Sequence, residues 1–256
     1  ALAALQALQR AGLPVIAITG RPMGWSEPFA RTWPVAAIVA ENGAVAMFRE
    51  GDGLRTEYTQ DEATRARQAA RLHAAATTVL REVPGTTLAQ DSAGRVTDIA
   101  IDHSEFARLD EAAIAQVVAV MQREGMHATV SSIHVNGWFG EHTKLSGAQW
   151  MLQRLFGRVL ADEVERWIYV GDSTNDQLMF RHFPLSVGVA NLRRFSAQLH
   201  TWPAYLTSGE RGEARLAGEL GVGLGSEGGR LLVAGVDDAH PVVARPFVER
   251  PDVRAV

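Results

Sequence analysis

Apolar positions along the chain fall into two alternating regimes, helical spacing and continuous short runs. Leu2, Leu5, Leu8 and Leu13 lie at helical spacing, with Gly12 as the stop. The run Leu13 to Ile18 is continuously apolar and ends at Thr19-Gly20-Arg21-Pro22, which predicts a buried parallel strand leaving its sheet into a loop. A helix from about Ser26 to Trp33 and a strand from Ala36 to Ala40 follow. The Asn42-Gly43 turn then predicts an antiparallel strand, Ala44 to Phe48. Alternating strand and helix with unbroken apolar strands predict an α/β fold with a Rossmann-like parallel sheet.

The pattern changes beyond residue 55. A long Ala- and Arg-rich amphipathic helix is predicted from Thr59 to Val83, a strand from Arg95 to Asp102, a second helix from Leu109 to Arg123 and a strand from His127 to Val135. Two helices on one antiparallel sheet predict an inserted α+β unit, a cap covering a site. The α/β alternation then returns: helix Lys144 to Phe156, strand Trp167 to Val170, helix Asn175 to His182, strand Leu185 to Val189, and a last strand and helix at Ala204 to Thr207 and Gly212 to Leu220. The organisation expected is a discontinuous core, 1–55 and 140–222, a cap, 56–139, and a linker and tail, 223–256. The tail holds a glycine-rich stretch, Gly221 to Gly229, and one strand-like run, Leu231 to Val236.

Composition narrows the function. With 46% apolar and 21% charged residues the chain can bury a sizeable core, so intrinsic disorder is not expected. A formal net charge of −4 supplies no basic field for nucleic acid or an anionic membrane, which leaves a small soluble ligand as the expected partner. The absence of cysteine excludes disulfides, thiolate catalysis and Cys-based zinc sites; any metal is held by oxygen or imidazole. No apolar run approaches the ~20 residues of a membrane-spanning helix, and no signal-peptide pattern opens the chain, so a cytoplasmic location is expected. The first residue is not Met and falls inside a helical pattern, which predicts a missing upstream segment.

Three motifs carry chemistry. Gly171-Asp172-Ser173-Thr174-Asn175-Asp176 follows an apolar strand and opens a helix. Carboxylates so close at the edge where open α/β sheets bind ligands repel unless a hard cation such as Mg²⁺ neutralises them; the plainer reading is a helix cap. Thr19-Gly20-Arg21 offers a hydroxyl, backbone N–H groups and a guanidinium to an anion, although an ordinary loop reads the same way. Lys144, at a helix start, opposes the macrodipole unless an anion lies nearby, and its plainer reading is a solvated lysine. His134 and Asn136 end the cap's last strand, where they face either a substrate or a hinge, and Asp98 and Asp102 alternate on a strand and point most simply into water. Gly223, Gly225 and Gly228 form a literal G-x-G-x-x-G, but in the order helix, glycines, strand, so it is not a dinucleotide site.

Taken in order, Thr19-Gly20-Arg21-Pro22, Glu41-Asn42-Gly43, Lys144, Gly171 to Asp176 and Val187-Gly188-Val189-Ala190-Asn191 resemble the haloacid dehalogenase superfamily, in particular its capped type IIB, Cof-like sugar-phosphatase branch. The resemblance covers about residues 1–220 and includes the place of the cap. It implies a Mg²⁺-dependent phosphatase of small phosphorylated metabolites, sugar phosphates above all. It also implies that Thr19 binds the transferring phosphoryl group, Lys144 pairs with the phosphate and nucleophile, Asp172 and Asp176 hold Mg²⁺ with Asn175 in support, and Gly20, Arg21 and Asn191 lie near the phosphate. Cap residues such as His134 and Asn136 would choose the substrate. The departure is the family's first motif, an Asp-x-Asp ending the central strand, which supplies the nucleophile and the acid/base. It is absent, so truncation upstream of Ala1 is expected, with unpaired ladders on the strands of Val15 and Ile168. Leu231 to Val236, ending in Asp237-Asp238, is the weaker expectation as a permuted substitute, because adjacent side chains point to opposite faces and no Gly-Thr follows. A non-catalytic phosphate-binding module and a phosphotransferase or mutase are the alternatives.

Overall fold

The computed structural model describes residues 2–207 and 231–235. In chain order the elements are α1 (Leu2–Arg10), β1 (Val15–Ile18), α2 (Met23–Thr32), β2 (Ala37–Ala40), β3 (Val45–Glu50), β4 (Gly53–Tyr58), α3 (Glu62–Glu82), β5 (Thr87–Leu88), β6 (Asp98–Asp102), α4 (Glu111–Arg123), β7 (His127–Val130) and β8 (His134–Trp138). They continue with α5 (Lys144–Phe156), α6 (Leu160–Glu163), β9 (Trp167–Gly171), α7 (Gln177–His182), β10 (Ser186–Gly188), β11 (Tyr205–Leu206) and β12 (Leu231–Gly235).

Two sheets result. The core sheet has the order β11-β10-β9-β12-β1-β2-β3-β4, parallel from β11 to β2 and antiparallel across β3 and β4. Its central strands carry apolar residues on both faces because both are covered. Ile16, Ile18 and Tyr169 pack with Met151 and Leu152 of α5 on one side, while Val15, Ala17 and Ile38 pack with Leu5 and Ala30 on the other. The cap sheet, β5-β6-β8-β7, is antiparallel. Ile101 and Val135 on one face pack with Leu72 and Val79 of α3 and Val117 and Met121 of α4. By the two-residue period of a strand, Asp98, Asp102, His134, Asn136, His127 and Thr129 lie on the opposite face.

The expected tail is corrected by β12, which is the central strand of the core sheet. Leu232 pairs with Val15 on one side and Ile168 on the other, and Gly235 is level with Ile18. The physical reason is the demand of buried backbone for partners: β1 and β9, flanking a gap, would each present an open ladder. The apolar run at 231–235 meets that demand whatever the next residues do. The strands of Val15 and Ile168 are therefore paired. The expected helix Gly212 to Leu220, the stretch Gly221 to Gly229, the G-x-G-x-x-G at Gly223, Gly225 and Gly228, and Asp237-Asp238 lie outside the described residues.

Two further differences are local. The polar edge strand β4, carrying Arg55 and Glu57, extends the core sheet to Tyr58, past the expected boundary at residue 55. The single strand expected from His127 to Val135 is a hairpin, because Ser131 turns the chain: its Oγ accepts from His134 N at 3.0 Å and its own N–H donates to His134 O at 2.8 Å.

Candidate active site

The C-terminal edge of the core sheet gathers the sequence-predicted residues. Thr19 follows β1, Asp172 follows β9, and both are 2% exposed. Lys144 is brought there by the first turn of α5, capped reciprocally by Thr143 and Ser146. That turn sits directly on Gly43, whose φ is +112° and at which a Cβ would lie 2.1 Å from Thr143 O. Glycine is required there for both reasons. The close seat buries Lys144 to 5% exposure.

Lys144 Nζ donates to Asn175 Oδ1 and to Asp176 Oδ1, each at 2.9 Å. Among the described residues Asp176 is therefore an anion of the kind that its helix-start position calls for. That carboxylate is heavily committed: Oδ1 also accepts from Tyr169 OH at 2.5 Å, and Oδ2 accepts from the N–H groups of Asp172 and Ser173 at 3.0 and 3.1 Å. Asp176 thus ties Lys144 to the loop that carries Asp172. Asn191 Nδ2 donates to the Asp172 carbonyl at 2.9 Å, while Asn191 Oδ1 and Asn175 Nδ2 are shut from solvent with no hydrogen-bond partner. Buried polar atoms of that kind call for an occupant.

Among the described residues no group of three or more His, Asp or Glu is arranged to hold a metal. The oxygen donors at the edge, the Asp172 carboxylate and the orphaned Asn191 Oδ1, nevertheless suit a hard cation that keeps several waters.

The Thr19 loop is covered by the cap. Arg21 N donates to Thr19 Oγ1 at 3.0 Å, and the Arg21 guanidinium turns outward to Asp91 and Glu105 of the cap at 3.1 and 3.0 Å. Arg95 donates to Gly20 O at 3.0 Å and grips Asp98 at 2.8 Å and Asp91 at 3.2 Å. Asn136 Nδ2 reaches Gly20 O at 3.3 Å and Asp98 at 3.2 Å, and His134 meets Glu105 at 2.8 Å. Glu41, fully buried at a φ of +50°, accepts from Met23 N at 3.0 Å and from Val96 N, Thr97 N and Thr97 Oγ1 at 3.1, 2.6 and 2.5 Å. His134 and Asn136 therefore bind this core-to-cap latch. Asp98 and Asp102, expected in water, are buried in it at 3% and 1% exposure, Asp102 by accepting the N–H groups of Glu105, Phe106 and Ala107.

Burial pushes the Asp98 carboxyl up to about 7, against the pull of Arg95 and with Glu41 adding to the rise. Burial opposes the charge on Arg21, but Glu105 and Asp91 outweigh it and hold the guanidinium protonated. Burial, with Arg95 nearby, lowers His134, so the imidazole stays neutral more readily than usual. Sequence reasoning missed Asp91, Arg95 and Glu105 as site-forming residues and met Glu41 only within the Glu41-Asn42-Gly43 motif, with no role assigned. The signal of the three missed residues is pairing across long separations, which a linear pattern does not carry.

Comparison with known proteins defines the fold. No protein-family model matches the chain, and no curated protein matches it. Among solved structures it is similar to Thermoplasma acidophilum 0175 (14% identity, TM-score 0.59, 82% of each chain covered). It is also similar to the sucrose-phosphatase of Synechocystis sp. PCC6803, solved with sucrose and phosphate (14% identity, TM-score 0.54, covering 77% of this chain and 92% of that one). A haloacid dehalogenase-like hydrolase from B. subtilis shares 15% identity at a TM-score of 0.53, covering 80% of this chain and 86% of that one. The fold is haloacid-dehalogenase-like, a Rossmann-like α/β core with an α+β cap.

Proposed function

We propose that this chain, on its haloacid-dehalogenase-like fold, is a Mg²⁺-dependent phosphohydrolase of small phosphorylated metabolites, sugar phosphates above all. The observation that carries the reading is the buried Lys144, fixed by Asn175 and Asp176 at the sheet edge where Thr19 and Asp172 also end their strands. Phosphoryl transfer needs mainly positioning and neutralised charge, and this edge supplies both.

In this reading Thr19 and Gly20 cradle the phosphoryl group and the Lys144 ammonium offsets its charge. Asp172 and Asn191 hold the cation, with Asn175 beside them, and Mg²⁺ when bound neutralises phosphate charge. Asp176 orients Lys144 and the Asp172 backbone, as its four accepted hydrogen bonds favour. Arg21 guards the loop from the cap side.

The chemistry also needs a nucleophilic carboxylate, which attacks phosphorus as the alkoxide leaves and is then freed by water. A strand arriving from upstream of Ala1 would have to displace β12 from the centre of the sheet. That favours a source next to β12 in sequence, Asp237 or Asp238. The test is Mg²⁺-dependent turnover of a sugar-phosphate panel by this chain, by its Asp237→Asn and Asp238→Asn variants, and by a version extended to any encoded upstream Asp-x-Asp. Turnover by the present chain that one Asp variant abolishes supports the permuted source, and turnover only after extension supports the upstream one. Phosphate binding without turnover in every version would leave a binding module. Lys144→Ala is expected to lower kcat by about 10²–10³-fold in any active version, and Asp172→Ala to abolish the Mg²⁺ response.

A further inference from the structure

Three consecutive carbonyls in the loop after β1 are held by different parts of the molecule. Thr19 O accepts from Asn42 N at 3.0 Å and Arg21 O accepts from Glu41 N at 3.1 Å, so the core's own turn fixes the peptides on either side. Gly20 O, between them, accepts from two cap side chains, Arg95 Nη1 at 3.0 Å and Asn136 Nδ2 at 3.3 Å. Both donors are aimed by one buried carboxylate, Asp98, which accepts from Arg95 at 2.8 Å and from Asn136 at 3.2 Å.

The Gly20 carbonyl and the Arg21 N–H belong to a single peptide unit, and among the described residues no peptide bond is cis. A trans peptide is planar and sends its C=O and N–H in opposite directions. Holding the carbonyl toward the cap therefore turns the Arg21 N–H away from it, and there it donates to Thr19 Oγ1 at 3.0 Å. The Thr19 backbone is anchored independently, since its N–H donates to Val39 O at 2.9 Å. A hydroxyl has one proton to donate and two lone pairs to accept with. With one lone pair of Thr19 Oγ1 taken by Arg21 N–H, the proton is directed elsewhere, and among the described residues no acceptor takes it. Glycine at position 20 has no Cβ to bias the rotation of this peptide, so the cap donors decide its direction.

We propose that Arg95 and Asn136 are positioning residues for the anion-binding loop. Acting through the Gly20–Arg21 peptide, they keep Thr19 Oγ1 an acceptor of the Arg21 N–H and its proton a donor to a bound phosphoryl oxygen. The inference rests on the phosphatase reading for the anion at Thr19. It gives Asn136 a role that needs no contact with substrate, and it links seating of the cap to anion affinity, each favouring the other to the same extent.

Two readouts on the 256-residue chain test it: amide hydrogen exchange without ligand, and calorimetric titration with inorganic phosphate in the presence of Mg²⁺. Asn136→Leu and Arg95→Met should each raise exchange at the Arg21 amide about tenfold or more, as loss of a hydrogen bond predicts. The Asn42 and Glu41 amides, which the core turn holds, should keep their rates. Each substitution should also weaken phosphate about tenfold in the native chain, but by less than about twofold in a Thr19→Val background, where the hydroxyl they act through is gone. Flat exchange at Arg21, or an equal rise at all three amides, overturns the proposal. Equal weakening of phosphate with and without the Thr19 hydroxyl overturns it too, because a merely structural loss is blind to that group. Arg95→Met strips Asp98 of its counter-charge; if that variant fails to fold, Asn136→Leu carries both readouts. Failure of the exchange pattern while phosphate still binds sinks this inference alone, whereas phosphate binding to no version sinks the phosphatase reading and the role at its anion together.

Discussion

Gly43 shows how one residue positions the chemistry. The first turn of α5 reaches Lys144 into the sheet edge only because nothing projects from Gly43 toward Thr143 O, 2.1 Å from where a Cβ would stand. Gly43→Ala should therefore cost about 2–4 kcal/mol in urea unfolding and weaken phosphate binding, since relief comes from moving Lys144. Asp98 supports a different prediction. Its folded-state carboxyl is raised to about 7 from an ordinary value near 4, so it favours the folded state when protonated. Its contribution is full below the unfolded value and is lost as pH rises through about 7. The stability difference between the native chain and Asp98→Asn should accordingly shift against the native chain between about pH 4 and 7; a flat difference across that window would contradict the assignment. At this scale the site was half legible. Thr19, Lys144, Asp172, Asn175, Asp176 and Asn191 do converge, because motifs at strand ends imply a shared edge. Asp91, Arg95 and Glu105 were invisible, and the role of Glu41 was not legible from its motif, since each acts through a partner distant in sequence.

Among the elements, β12 matters most. Its run reads as a tail strand because glycines precede it, and its filling of the gap between β1 and β9 is the weaker expectation because Asp237 and Asp238 are adjacent and no Gly-Thr follows. Its neighbours β1 and β9 were legible as buried strands, as were α5 and the cap helices α3 and α4, because their periodicity is long and unbroken. β4 and the β7–β8 hairpin were not: a charged edge strand lacks an apolar signature, and the Ser131 turn carries no Gly or Pro. The central place of β12 makes Val233→Pro a sharp test, as it removes a ladder hydrogen bond and sets a ring against β1 or β9. It should destabilise by roughly 3 kcal/mol or more, with the loss seen in core and cap probes together if the domains unfold as one.

For the whole molecule the latch decides how cap and core communicate. Glu41 holds the cap backbone at Val96 and Thr97, while Arg21 and Arg95 link the Thr19 loop to cap carboxylates. Glu41→Ala should raise amide hydrogen exchange at Val96 and Thr97 by at least about tenfold, since the loss of a charged acceptor leaves those donors unpaired. Exchange within β1 and β2 should stay unchanged. Unaltered exchange at Val96 and Thr97 would show that the cap is held by packing instead.

The position of β12 also bears on how the protein is made. On the ribosome β1 and β9 emerge long before the strand that separates them, so a nascent chain holds two apolar edges apart while the rest is translated. Pairings across most of the chain's length are slow to form, and exposed edges recruit other chains. Arrested nascent chains should stay protease-sensitive in both halves of the core until residue 235 has cleared the exit tunnel, and then gain protection in one step. A demand for chaperone holding during synthesis follows from a single late strand.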